Sequence, residues 1–267
     1  MNEIGHARVK DYAAFLDAKH PLALATGDMK KFQRPWLASK LEALVPGGRV
    51  LEIGGDKCEI ADLLQKKGFE VWVVDIFDQF GGGAQTYEAA SMKFPNITFR
   101  QGFFHEAADI PEDYFDAIYS CSVLEHTPIP LIKPTVERIM NCLKAGGKSI
   151  HAVDFTVDCP TPPGFEHLTL DDVLQFDTVE DFMRAKGMKA FFAVLKAFHI
   201  RHLDDLLKYH GMPENSQELA SNALADVEAF FMGPQGHHMW RSALKLAYED
   251  YPFRKLTSMN FIAEKSA

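Results

Sequence analysis

The sequence predicts an α/β fold: a parallel sheet with helices on both faces, N-terminal helices before it, and a helical cap inserted after the fifth strand. Three observations predict it. Across residues 46–155 short apolar runs alternate with amphipathic segments of helix length, which is the pattern of successive βαβ units. The runs are apolar throughout instead of at every second residue, as in strands buried on both faces. With 47% hydrophobic and 24% charged residues over 267 positions, the chain suffices for one large α/β domain with an elaboration and is neither disordered nor fibrous.

The elements follow in order. ARVKDYAAFLDA and MKKFQRPWLASKLEAL carry apolar residues at helical spacing and predict two helices, the second started or interrupted at Pro35. VPGGR punctuates the chain, and VLEIG is the first strand. CEIADLLQKKG is an amphipathic helix stopped by Gly68, and FEVWVVDIF is the second strand. AQTYEAASMKF reads as a helix, NITFRQG as the third strand and YFDAIYSCSV as the fourth. PLIKPTVERIMNCLKAGG is a helix ending at its Gly-Gly pair, followed by KSIHAVDF as the fifth strand. After Phe155 the rhythm changes to a proline-rich loop, TVDCPTPPGFEH, and then a helical region from about Thr169 to Val227. EAFFMG is expected as a strand, HHMWRSALKLAYEDY as a helix and LTSMNFIAEK as the last strand.

The expected division is therefore an N-terminal helical segment at 1–45, a ligand-binding core at 46–155, a helical cap at 156–226 and last strands completing the core sheet at 227–267. An insert after a strand's carboxyl end is placed to cover a site in an open α/β sheet.

A net charge of -9 without any basic run argues against binding a nucleic-acid backbone. The N-terminus lacks the apolar core of a signal peptide, and no apolar run approaches bilayer-spanning length. Cys58, Cys121, Cys142 and Cys159 are scattered without a C-x-x-C pair, as expected of reduced thiols in a cytoplasmic protein. The expected partner is a small molecule, with no nucleic acid and no membrane; the sequence sets no oligomeric state.

RVLEIGGDKCE, Arg49 to Glu59, joins a strand to a helix through glycines. A dinucleotide needs G-x-G-x-x-G, so that backbone and helix N-terminus approach a pyrophosphate. Here the run from Gly54 is G-G-D-K-C, and Asp56 would set a negative charge where the phosphates belong. S-adenosylmethionine has no phosphates; its sulfonium and amino group tolerate a nearby carboxylate.

At these residues the chain resembles the class I S-adenosylmethionine-dependent methyltransferases, with their Rossmann-like sheet. VLEIGGDKC matches the first motif, VVDIF the second, FDAIYSCSVLEH the fourth-strand motif and LKAGGKSIHAVDF the entry to the fifth strand. The resemblance covers about Leu41 to Phe155, plus the last strand, and implies S-adenosylmethionine as methyl donor. It places Gly54 and Gly55 against the methionine and ribose, with Glu52 in the same motif, Asp75 on the ribose hydroxyls and Ile76 on the adenine. A carboxylate accepts two hydrogen bonds from a vicinal diol, which gives Asp75 its reason. Gly102 and Phe103 stand where the family often has Gly-Asp, so an aromatic or backbone contact replaces the acidic one. Ser120 and Cys121, with Ser122, end the fourth strand beneath the sulfonium. Cys58 stands at the third-glycine position and reads as a small packing residue, since nothing nearby supplies the base a nucleophile needs.

Methyl transfer is an in-line displacement that mainly needs positioning, with a general base where the accepting atom must lose a proton. The catalytic candidates are His126, Asp154 and His151. Strand alternation puts the last two on opposite faces and favours Asp154, nearer the carboxyl end. Asp158, His167, His237 and His238 are the candidates for acceptor contact, the last two on a Gly-flanked loop. His199, His202, Asp205 and His210 have ligand-like spacing, but with eleven histidines in the chain a surface helix face is the better reading, and no metal is expected. The reading is a methyltransferase acting on a small-molecule acceptor at oxygen, nitrogen, sulfur or carbon, with oxygen or nitrogen favoured. A nicotinamide-dependent oxidoreductase and a non-catalytic S-adenosylmethionine-binding module remain alternatives.

Overall fold

The computed structural model describes residues 2–23, 28–55, 57–77, 86–176, 178–213 and 215–266. Asp56 and the first two residues of the AQTYEAASMKF segment lie outside them. Among the described residues, seven strands form one sheet: β1 (Glu3–His6), β2 (Arg49–Ile53), β3 (Glu70–Asp75), β4 (Thr98–Gln101), β5 (Phe115–Cys121), β6 (Leu143–Asp158) and β7 (Lys255–Glu264). Their order is β1-β7-β6-β5-β2-β3-β4. β6, β5, β2, β3 and β4 run parallel, and β7 lies antiparallel between β6 and β1.

Alternate residues of the central strands enter different cores, as the pleat requires. Val50, Val71 and Val73 pack on Leu37 and Leu41 of α2 (Lys30–Leu44) and on Ile60 and Leu64 of α3 (Glu59–Lys66). Leu51, Ile53, Ile118, Val153 and Phe155 face the other way, onto Ile132, Val136 and Ile139 of α5 (Ile129–Cys142) and Leu203, Leu206 and Leu207 of α8 (Met188–Tyr209). Each such buried aliphatic side chain contributes roughly 1.5–3 kcal/mol. The remaining helices are α1 (Val9–Asp17), α4 (Tyr87–Lys93), α6 (Leu170–Leu174), α7 (Val179–Lys186), α9 (Ser216–Ala225) and α10 (Pro234–Ala243).

Four local expectations are corrected. Pro35 neither starts nor interrupts α2 but lies inside it, held by the burial of its neighbours Phe32, Gln33, Leu37 and Ala38. The LKAGG segment ends no helix: Leu143 pairs with Phe115 and Lys148 with Ala117, and the register shifts between those pairs. Its glycines form the resulting irregularity, with Gly146 at φ +76°. The N-terminus adds an edge strand, β1, where only helices were expected. EAFFMG is irregular, making one isolated bridge, Arg8 to Ala229, with Phe230 N–H donating to Ala7 O and Met232 N–H to Leu256 O.

β6 also runs longer than KSIHAVDF, and this shapes the site. Its last pair with β5 is Ala152 with Cys121, yet it continues to Asp158 along β7. Beyond β5 one edge of β6 has no strand partner among the described residues. Two side chains take that place: Glu125 Oε1 accepts from Asp154 N–H at 2.9 Å, and His199 Nδ1 on α8 accepts from Thr156 N–H at 2.9 Å. A buried edge N–H left without an acceptor is costly, so these two contacts hold the overhang in place.

Candidate active site

The glycine turn after β2 is dictated by close approach. Gly54 adopts φ +75°, and a Cβ there would stand 2.4 Å from Val123 Cγ2; one on Gly55 would stand 2.5 Å from Val73 Cγ1. The turn ends at Cys58, buried and left-handed at φ +56°, which caps α3. That conformation is the reason a glycine suits the position; packing alone, the sequence-based explanation, is incomplete.

Lys30 and Arg34 of α2 overhang this turn and line a cleft with Glu52, Gly54, Gly55, Glu59, Ile60 and Cys121. Arg34 forms an ion pair with Glu59 across it, and the enclosed space is about 10 Å³, room for one water. Glu52 is buried and accepts a hydrogen bond from Tyr119 Oη at 3.2 Å. Burial pushes the Cys121 thiol up to about 12, so it stays protonated.

Asp75 lies at the carboxyl end of β3, partly buried, with Oδ1 accepting from Phe77 N–H at 2.9 Å. Ile76 follows it, partly exposed; its carbonyl accepts from Gln101 Nε2 at 3.3 Å. Gly102 N–H donates to Asp75 O, which brings Gly102 and the exposed Phe103 to the same strand end.

At the ends of β5 and β6 a second polar group forms. Gln33 Nε2 donates to Asp154 Oδ1 at 3.0 Å, while the Ser122 hydroxyl lies 2.7 Å from Gln33 Oε1 and 3.2 Å from Asp154 Oδ1. Burial, then the charge of Asp154, holds the Glu125 carboxyl well above its usual range. Burial raises Asp154 too, but Gln33, His126, Lys30 and Ser122 oppose it. Both carboxyls are raised, Glu125 the more strongly, so Glu125 takes up a shared proton first; Asp154 is partly open to solvent. His126 is exposed beside them.

The other candidates scatter. His151 is buried, and Ser120 turns away from the cleft to meet it: Ser120 Oγ lies 2.8 Å from His151 Nδ1, Ser149 Oγ lies 2.7 Å from His151 Nε2 and 2.9 Å from His210 Nε2, and His210 Nδ1 lies 2.8 Å from Leu206 O. A carbonyl only accepts, so His210 Nδ1–H donates. Every other bond then follows with both rings neutral, ending with Ser120 donating to His151. His237 and His238 belong to α10, not to a loop; neighbours on a helix diverge, and His237 is buried against Tyr251 while His238 is exposed. Asp158 is exposed at the end of β6, and His167 is exposed in the proline-rich loop.

The residues with ligand-like spacing do not form the expected surface helix face: His202, Asp205 and His210 are buried where α8 packs on the core, His202 lies 2.6 Å from Thr127 O through Nε2, and Asp205 pairs with Arg201. Among the described residues no group of three or more His, Cys, Asp or Glu side chains is arranged for a metal ion, and no helix is long and apolar enough to cross a membrane. Sequence reasoning missed Lys30, Gln33 and Arg34. Their available signal was the polar pair Gln33-Arg34 inside the apolar FQRPWLA run of a helix.

A family model described as a methyltransferase domain matches residues 27–212. A comparison with curated proteins finds no match. Among solved structures, a Galdieria sulphuraria protein provisionally assigned as a sarcosine dimethylglycine methyltransferase is 18% identical with a TM-score of 0.45, over 87% of this chain and 85% of that one. Haemonchus contortus phosphoethanolamine N-methyltransferase 2, in complex with S-adenosyl-L-methionine, is 18% identical with a TM-score of 0.45, over 86% of this chain and 52% of that one; this chain spans about half its length. Burkholderia thailandensis 1,6-didemethyltoxoflavin-N1-methyltransferase, with bound 1,6-didemethyltoxoflavin and S-adenosylhomocysteine, is 18% identical with a TM-score of 0.40, over 56% of this chain and 66% of that one. The family model spans well over half of the sequence, and the chain belongs to the methyltransferase-domain family, enzymes that use S-adenosylmethionine as methyl donor.

Proposed function

We propose that this enzyme methylates oxygen or nitrogen of a small-molecule acceptor. The observation that carries the reading is the meeting of the glycine turn with the Gln33–Ser122–Asp154 network at the carboxyl ends of β2, β5 and β6, where open α/β sheets place their ligands.

The residues suit the cofactor. Gly54 and Gly55 give it backbone where a Cβ would block approach, Asp75 accepts from the ribose hydroxyls, and Ile76, Gly102 and Phe103 flank the adenine. Lys30 and Arg34 suit the methionine carboxylate, and Glu52 and Cys121 line the same end. Arg34 must first leave Glu59, so cofactor binding exchanges one ion pair for another. When bound, S-adenosylmethionine supplies an electrophilic methyl group on a sulfonium.

Asp154, ionised and braced by Gln33 and Ser122, accepts the proton of the attacking hydroxyl or amine, and exposed His126 passes it to solvent. His151 stays neutral behind the strand and positions Ser120. In this reading 46–155 hold the cofactor and 156–226 cover the acceptor, with Asp158 at the rim. His167, His237 and His238 lie outside it.

Calorimetry with S-adenosylhomocysteine tests the cofactor end. Asp75→Ala should weaken binding by about tenfold or more, the loss of charge-assisted hydrogen bonds; unchanged affinity would remove Asp75 from the site. Methyl-deuterated S-adenosylmethionine, incubated with a pool of small polar metabolites, should give labelled products by mass spectrometry. Binding without any labelled product would favour the non-catalytic module.

A further inference from the structure

Arg254, the residue before β7, lies at the outer end of the β6 overhang, where Asp158 pairs with Lys255. Its guanidinium sits 5.6 Å from the Phe192 ring of α8 and 5.4 Å from the Tyr251 ring, and Nη1 donates to Tyr251 Oη at 2.9 Å. Among the described residues no carboxylate pairs with it, and its Nε is buried without an acceptor. Six other arginines, Arg8, Arg34, Arg100, Arg138, Arg184 and Arg201, have a carboxylate partner; Arg49 lies on the Tyr114 ring and Arg241 donates to Leu246 O, but neither has a buried, unsatisfied Nε. A clamp between α8 and the chain before β7 would need only the ring faces and the Tyr251 bond; it leaves the Nε donor unused.

His199 lies two turns along α8 from Phe192, within reach of the Arg254 charge. Nδ1 is committed to the Thr156 N–H, so the ring proton sits on Nε2, for which the described residues supply no acceptor. Burial, then His202 and Arg254, depresses its protonation, and it is a neutral donor. Thr156 Oγ1 is also buried without a partner. A cation and two unspent polar groups thus line the overhang that carries Asp154.

We propose that Arg254 and His199 form a subsite for an oxyanion of the acceptor, a carboxylate or a phosphoryl group. The proposal rests on the methyltransferase reading and gives its acceptor a charge. A guanidinium fork matches either oxyanion, and flanking rings keep water from screening it. Asp158, the nearest acidic residue along the strand, is exposed to solvent, and the Cys159 thiol, pushed by burial up to about 11, is uncharged. Asp154 and Asp158 are four positions apart, roughly 13 Å along a strand, so several bonds separate the acceptor's acidic group from its methyl-accepting atom.

The test is ligand-observed NMR on the full chain, with and without S-adenosylhomocysteine, using inorganic phosphate and acetate as separate probes. At least one probe should bind the wild type; the stronger identifies the phosphoryl or the carboxylate form. Arg254→Gln should weaken it by about tenfold or more, Arg254→Lys by only a few-fold, and His199→Gln by an intermediate amount, with thermal melts reporting folding. Should Arg254→Gln fail to fold, the Lys and His199 variants carry the comparison. No binding of either probe to the wild type, or equal binding by the folded variants, overturns the subsite. S-adenosylhomocysteine affinity is read separately: its absence counts against the cofactor assignment, not against the anion site.

Discussion

Gln33 of α2 donates to Asp154 of β6 at 3.0 Å across 121 residues of sequence. The bond ties the helix over the glycine turn to the carboxyl end of β6, and with Ser122 it keeps one Asp154 oxygen fixed. Asp154→Asn keeps the shape and removes the charge. Turnover should fall by about a hundredfold or more, while S-adenosylhomocysteine affinity stays within about twofold. Labelled-methyl transfer and calorimetry read the two; equal loss of both would make Asp154 a cofactor residue instead.

Arg34 and Glu59 should respond with opposite signs. Glu59→Gln weakens the ion pair that draws Arg34 across the cleft, so S-adenosylhomocysteine should bind several-fold tighter. Arg34→Ala removes the positive charge offered to the carboxylate, and binding should weaken by about tenfold. Calorimetry on both variants is decisive; weaker binding in Glu59→Gln would mean that the ion pair organises the site instead of blocking it.

Gly54→Ala introduces a Cβ at φ +75° and 2.4 Å from Val123 Cγ2. Backbone strain and overpacking together should lower stability by about 2–4 kcal/mol. Cys58→Gly should be tolerated, because relief of the left-handed strain offsets the loss of the small buried thiol. Urea unfolding compares them; a Gly54→Ala protein of wild-type stability would show that Val123 moves aside.

The buried histidines set a dependence on acid. Burial lowers His210 from 6.5 to about 4, with the Leu206 carbonyl opposing, and His202 also falls to about 4. The unfolded chain therefore takes up protons first. Each residue's contribution is complete above pH 6.5, shrinks as pH falls toward 4, and changes little below that. The total loss is roughly 3 kcal/mol per histidine. Urea midpoints should drop between pH 7 and pH 4.5, with a shallower slope in His210→Gln. An identical slope would mean that His210 is not buried in solution.

By itself the sequence determined the alternation of buried strands and helices, the glycine turn at Gly54 and Gly55, and the acidic end of β3. Each is written locally: apolar run length, the backbone freedom of glycine, one carboxylate after a strand. It also identified the methyltransferase family through four such segments in order. What it did not carry was anything decided by a neighbour far along the chain. Glu3–His6 is too short to signal a strand and becomes one only because β7 offers its edge. The Gly-Gly of LKAGG reads as a helix stop, but pairing with β5 draws it into β6. His151 and Asp154, three apart, were separable by strand alternation. That His151 would be bound to His210 through Ser149, and Asp154 to Gln33, was decided by which elements pack together. The same holds for Glu125 and His199. A histidine or a carboxylate looks alike in any sequence, and only the tertiary structure supplies the partner that makes it an edge cap, a link in a buried hydrogen-bond chain or part of a polar cluster at the strand ends.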